Sequence, residues 1–238
     1  MTSFPEQLPH GDLTEVLPDI FFVSGQSRPD FNGQTFQFSR NMTVIRDRDG
    51  LTLVNTLRLD EDGLASLDSL GTVRNVVRLG AFHGRDDAFY LNRYGVPFWA
   101  CPGVDFQRGE TIDSPLADGE PGPSPDSSVF IFQTVSVPEA ILRLDRQGGV
   151  LVASDSLQNW VEPDEFFDEA SAKSMKEFGF FHPANVGPGW RNAAQPQVSD
   201  FERLKTLDFK HLLSAHGTPL LNDAYSGVSA TLEDLYGV

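Results

Sequence analysis

Five residues of this 238-residue sequence have types and positions suited to holding a metal: His83, Asp86, Asp87, Asp155 and His216. Lys210-His-Leu-Leu-Ser-Ala-His216-Gly-Thr-Pro219 is a short apolar run of strand character that ends in a polar turn and presents an imidazole there. Gly149-Val-Leu-Val-Ala-Ser-Asp155 is a second apolar run, and it stops on a carboxylate. Open α/β sheets collect their ligands at the C-terminal edges of such strands. Gly80-Ala-Phe-His83-Gly-Arg85-Asp86-Asp87 is a polar loop after a third apolar run. Imidazole and carboxylate together suit Zn, Fe or Mn. Plainer roles stand beside this one: Asp155 as a turn or capping carboxylate within Ser-Asp-Ser, Asp86 or Asp87 as the N-cap of the following helix, and His216 as a structural histidine in a strand-end turn.

Composition narrows the setting. With 39% apolar and 22% charged residues, the chain has an ordinary globular balance. No apolar run approaches the ~20 residues that span a bilayer. The N-terminal stretch lacks a basic segment followed by an apolar one, so no membrane association and a cytoplasmic location are expected. The only cysteine is Cys101, which excludes an intrachain disulfide and thiolate clusters. A net charge of −16 repels phosphate backbones, so nucleic acid is not an expected partner. The expected partner is a small-molecule substrate or ligand.

The elements that must position these residues follow in order. Asn41–Arg46 and Leu51–Asn55, joined by Asp47-Arg-Asp-Gly50, read as a β-hairpin. Leu64, Leu67 and Leu70 mark a helix from Asp60 with acidic residues in its first turn and Gly71 as its stop. Val73–Leu79 is a strand, Ala88–Tyr94 a helix and Val96–Ala100 a short strand. Residues 101–127, rich in Gly, Pro, Asp and Ser, read as an exposed excursion. Strands resume at 129–132, 140–144 and 150–153. An acidic helix is expected over 164–178, a Gly- and Pro-rich loop over 180–191, a helix over 199–207, the strand 210–214 and a final helix over 222–236. The first 15 residues read as a flexible tail.

This order resembles the metallo-β-lactamase superfamily over nearly the whole chain. Leu-Val-Asn55 is similar to the strand that usually ends Ile-Asp-Thr-Gly, Val-Leu-Val-Ala-Ser-Asp155 to the strand whose Asp bridges two metals, and Leu-Ser-Ala-His216-Gly to the closing strand with the last metal ligand. The resemblance implies one α/β domain over 1–238, a four-layer αβ/βα sandwich. The signature loop His-x-His-x-Asp-His is degenerate, reading Phe-His83-Gly-Arg85-Asp86-Asp87-Ala88. With His83 as the first His, Asp87 takes the Asp position, while Arg85 and Ala88 replace two His ligands. In a shifted frame Asp86 and Asp87 fall on Asp-His. No His lies near Gln133–Val137, where the middle His of the family is expected.

The resemblance implies an atypical site in which His83, Asp87, Asp155 and His216 hold one divalent ion. Asp86 would orient a His or accept a proton, and Arg85 would pair with Asp155 or hold an anionic substrate. His182 and Arg191 flank the 180–191 loop as candidate lid residues. Two functions follow: a metal-dependent hydrolase of unspecified substrate, or a metal-free binding or structural protein in which the same residues form an ion-paired cluster.

Overall fold

Two facing β-sheets, each covered on its outer side by helices, carry the chain in this computed structural model, which describes residues 4–31, 33–106 and 108–238. The first half runs β1 (Thr14–Leu17), β2 (Ile20–Ser27), a ribbon of β3 (Asp30–Phe31) and β4 (Gln34–Thr35), β5 (Phe38–Asp47), β6 (Gly50–Val54), α1 (Glu61–Leu70), β7 (Val73–Arg78), α2 (Asp87–Tyr94), β8 (Phe98–Ala100) and β9 (Ser114–Pro115). The second half runs β10 (Ser127–Ile131), β11 (Ala140–Leu144), β12 (Val150–Val152), β13 (Leu157–Trp160), α3 (Glu169–Glu177), β14 (His182–Val186), α4 (Pro188–Ala194), α5 (Val198–Leu204), β15 (His211–Leu213) and α6 (Ala224–Tyr236). The sheets are ordered β1-β2-β5-β6-β7-β8-β9 and β10-β11-β12-β15, with β13 and β14 paired apart from them.

Alternation of side chains along the second sheet builds the layers. Leu142, Leu144, Val150, Val152 and Leu213 join the core shared with the first sheet. Their neighbours Ile141, Leu151, Ala153 and Leu212 point the other way, onto Trp190 of α4, Phe201 of α5 and Val228 of α6. On the first sheet, Leu64 and Leu67 of α1 and Tyr90 of α2 enter the core. The result is the expected helix–sheet–sheet–helix sandwich.

Four segments depart from the sequence reading. The expected flexible tail is laid against the sheet from Leu8 onward: Gln26 N donates to Pro9 O at 2.8 Å and Gly11 N to Ser24 O at 2.9 Å, continuing the pairing of β1 with β2. The 101–127 excursion is anchored by buried Val104, Leu116 and Ser124, and β9 adds a strand beside β8. The 164–178 helix begins only at Glu169, where the Asp168 carboxylate caps Ser171 N. Residues 166–167 instead turn inward, with the Phe167 ring 5.0 Å from that of Trp160. The 180–191 loop contains β14 and α4.

One ionic clamp ties the sheets. Arg146, in the β11–β12 turn, donates Nε and Nη2 to the two Asp126 oxygens at 2.6 Å each, and Nη1 to Arg46 O on β5 at 3.0 Å. These bonds hold the Asp126 carboxyl below its ordinary value. The pair therefore stabilises the fold above about pH 4 and stops doing so as Asp126 protonates at lower pH. Arg146→Ala is expected to cost about 1 kcal/mol at pH 7 by urea denaturation, with the gap from the native chain closing below about pH 4.

Candidate metal centre

Strand register brings two of the candidate ligands together. β12 and β15 are parallel, with Val152 opposite Leu213. Asp155 (155 − 152 = 3) and His216 (216 − 213 = 3) each stand three residues past that pair, so they emerge side by side. His83 arrives from the first sheet. Its loop leaves β7 and crosses to the second sheet at Gly80, which bridges Glu139 just before β11.

The three side chains converge in the interior, none more than 7% exposed. His83 Nε2 lies 3.1 Å from Asp155 Oδ1 and 3.0 Å from Oδ2, and His216 Nε2 lies 3.2 Å from Oδ1. The imidazole centroids are 4.9 Å apart. His216 is fixed on two sides: its Nδ1 is 3.0 Å from Ser39 O, and its ring stacks on Trp160 at 4.7 Å and 11°. The turn beneath it is held by Asn41, whose Nδ2 donates to Ser214 O at 2.9 Å and Gly217 O at 2.8 Å. Gly217 has φ +79°, and a Cβ there would collide with the Asn159 backbone.

Asp155 is held just as firmly. Glu139, fully buried, accepts backbone N–H groups from three consecutive residues: Ser154 at 3.3 Å, Asp155 at 3.0 Å and Ser156 at 2.7 Å. Burial alone would raise the Asp155 carboxyl, yet the two imidazoles draw it below the usual carboxylate range. Burial lowers His83 despite the pull of Asp155. Burial and the neighbouring Asp155 charge push Glu139 upward.

The remaining candidates go elsewhere. Asp87, expected as a fourth ligand, lies outside the converging set. Its Oδ1 accepts from Thr56 Oγ1 at 2.6 Å, its Oδ2 has no partner, and burial pushes it up to about 7. Asp86, expected to orient a His, instead binds arginines: Oδ2 takes Arg40 Nη2 and, at 3.0 Å, Arg58 N, while Oδ1 takes Arg85 Nη1 at 2.9 Å. It is the N-cap residue of α2, but its side chain does not cap. Arg85 thus pairs with Asp86 rather than Asp155, and its Nη2 donates to Glu6 O at 2.6 Å. His182 is exposed beside Pro183 O, and neither it nor Arg191 lines the site. Cys101 is buried, its thiol pushed up to about 12 by burial.

A cavity of about 820 Å³ opens above His83, Asp155 and His216. Phe38, Trp160, Phe180 and Trp190 wall it, and Arg40 and Arg85 reach it. Trp160 and Trp190, read from sequence as either pocket-lining or packing residues, line the cavity. Two residues important to this arrangement escaped the sequence reading. Arg40 follows Ser39 at the start of a buried strand, and Glu139 follows Pro138 immediately before another. A charged residue bordering a buried apolar run was the available signal for both.

No protein-family model matches the sequence, and none of the curated proteins matches it. Solved structures do. DIM-1 metallo-β-lactamase is similar at a TM-score of 0.62 and 13% identity, over 95% of this chain and 99% of that one. A metallo-β-lactamase from Pontibacter korlensis gives 0.59 and 13% over 94% and 99%. A metallo-β-lactamase from Erythrobacter litoralis gives 0.56 and 14% over 97% and 96%. The chain therefore has the metallo-β-lactamase fold, as its sequence pattern implied. At these identities the likeness is one of fold.

Two substitutions probe the centre. Glu139→Ala strips three backbone N–H groups of their shared acceptor and is expected to cost about 2–4 kcal/mol in urea denaturation. Asp87 makes a pH prediction. Its folded value of about 7 exceeds the roughly 3.9 of an unfolded Asp, so ionisation opposes folding: this contribution is fully present below about pH 4 and is lost as pH rises through 7. Asp87→Asn should gain stability relative to the native chain between about pH 4 and 8, on the order of 1–3 kcal/mol. A pH-independent difference would contradict it.

Proposed function

We propose that the chain is a mononuclear metal-dependent hydrolase acting on a small molecule, with His83 Nε2, Asp155 and His216 Nε2 as its protein ligands. The hydrogen bonding of His216 carries this reading. With Nδ1–H donating to Ser39 O, Nε2 faces a carboxylate oxygen at 3.2 Å. Two lone pairs at that distance repel, so the contact is attractive only with a proton or a cation between them. A backbone carbonyl on the far nitrogen is the usual outer support of a metal-bound imidazole. Two imidazoles and one carboxylate also form a donor set suited to a borderline divalent ion such as Zn, Fe or Mn.

Each residue then has a defined task. Ser39 O and Trp160 fix the ring of His216, and Glu139 fixes the backbone that presents Asp155. The aromatic walls exclude bulk water and leave room for a small organic molecule. His83, Asp155 and His216 would hold the divalent ion, which would supply Lewis-acid chemistry: a lowered pKa for bound water and polarisation of a scissile carbonyl or phosphoryl group. The fold does not set the bond cleaved.

A second reading rests on the same distances. With both imidazoles protonated on Nε2, Asp155 is the centre of a metal-free cluster with His83 and His216, suited to binding rather than catalysis. Metal content separates the two. Protein purified without chelator is expected to carry about one equivalent of Zn, Fe or Mn by elemental analysis. His216→Ala should lose that metal, and returning it to stripped native protein should raise Tm. Metal-free protein whose Tm ignores these ions would sink the hydrolase proposal and leave the binding reading.

A further inference from the structure

The charge on the cavity wall is opposite to that of the chain. The sequence carries 34 acidic and 18 basic residues, yet the described residues lining the cavity include four arginines, Arg28, Arg40, Arg85 and Arg108, against a single carboxylate, Asp155. A concave wall of one sign with low-dielectric sides focuses its field on whatever enters. Arg40 contributes most directly. Only 3% exposed, it uses Nη2 alone to hold Thr56 O and Asp86. Its Nε and Nη1 have no protein partner among the described residues, nor do they belong to the sealed, unpaired polar atoms of the interior. Arg40 itself lines the cavity. Asp86 does not cancel this charge, because the one carboxylate is shared by Arg40 and Arg85.

The upper wall has a different character. Phe31, Phe82 and Phe178 are 56%, 52% and 67% exposed, and all three line this cavity. They are the only exposed phenylalanines among the described residues. Isolated exposed apolar side chains are ordinary, but three aromatic rings on the rim of one pocket form a contact surface. Below them the pocket continues over Phe36, Phe180 and Met175.

We propose that the cavity binds a small organic oxyanion with an apolar body, its carboxylate or phosphate received by the guanidinium of Arg40 and its chain or ring laid along the phenylalanine wall. This rests on reading the cavity as a small-molecule site, and it does not require the metal. A guanidinium suits either oxyanion, since its charge is permanent and each remaining N–H can donate a charge-assisted hydrogen bond. Such a ligand meets cationic donors at the floor and apolar surface at the mouth. A cation of equal length meets the same apolar wall but opposite electrostatics.

Calorimetric titration of the full chain with octanoate, octyl phosphate, acetate and octylamine tests this, with metal-stripped protein and again after one equivalent of zinc. Octanoate or octyl phosphate should bind at least tenfold more tightly than both acetate and octylamine in both preparations, and the stronger of the two identifies the oxyanion. Arg40→Gln should weaken that anion tenfold or more and leave octylamine unchanged. Should the loss of Arg40 prevent folding, Phe178→Ser on the rim decides: octanoate or octyl phosphate weakens at least threefold while acetate is unaffected. Anions that bind no better than octylamine overturn the proposal. So does anion binding that requires zinc and ignores Arg40→Gln, which places the anion on the metal and leaves the hydrolase reading intact. Protein that takes up no metal yet binds octanoate through Arg40 rejects the hydrolase reading and supports this one.

Discussion

The site depends on the burial of one carboxylate, Asp155, between two imidazoles. Ionised in the interior, it would be costly without compensation. His83 and His216 face its side chain, Ser154 Oγ donates to Oδ2 at 3.0 Å, and Glu139 grips its backbone. Each partner comes from a different part of the chain: the loop after β7, the end of β12, the residue before β11 and the end of β15. Assembling the site therefore requires the two sheets to close in one register, and a slip of β15 against β12 by one residue would turn His216 away. The geometry that readies Asp155 for a cation is also what makes the fold specific.

The opposite wall solves a related problem with arginine. The sequence resemblance, with His83 taken as the first histidine of the loop, implies histidines where Arg85 and Ala88 stand. Here buried Arg40 and Asp86 and half-buried Arg85 form an ionic group on the loop of His83, and Arg78 spends its donors on the carbonyls of Gly80, Ala81 and Asp105. Gly84 lets the loop lie against the Arg78 guanidinium, where a Cβ would collide. The loop that carries His83 is thus held by fixed positive charge. A resident guanidinium beside the His83, Asp155 and His216 cluster supplies the cavity with a fixed positive charge.

Which parts were legible from sequence follows from how local their causes are. The meeting of Asp155 and His216 could be read because an apolar run fixes where a strand ends, and neighbouring parallel strands that end together bring their next residues side by side. The β5–β6 hairpin and α1 were readable from the turn Asp47-Arg-Asp-Gly50 and the leucine spacing. Asp86 and Asp87 lie outside the cluster of His83, Asp155 and His216, because adjacency in sequence says nothing of which arginine or threonine tertiary closure will place opposite them. Glu139 and Arg40 were missed for the same reason: each is a single charged residue at the border of an apolar strand, and its importance appears only when the facing sheet arrives. The pair β13–β14 was hidden because Gln158, Asn159 and Asn185 are buried amides that break the apolar alternation.

The central claim is that His216 offers an unprotonated Nε2 toward Asp155, its Nδ1–H being committed to Ser39 O. Nitrogen-15 NMR of the imidazole rings, assigned with His216→Gln and recorded before and after one equivalent of zinc, tests it most directly. The account predicts a protonated Nδ1 throughout and an Nε2 resonance that moves to the metal-bound position on adding zinc. Nitrogens that are both protonated at neutral pH and unchanged by zinc would contradict it, leaving a metal-free imidazolium–carboxylate cluster in its place.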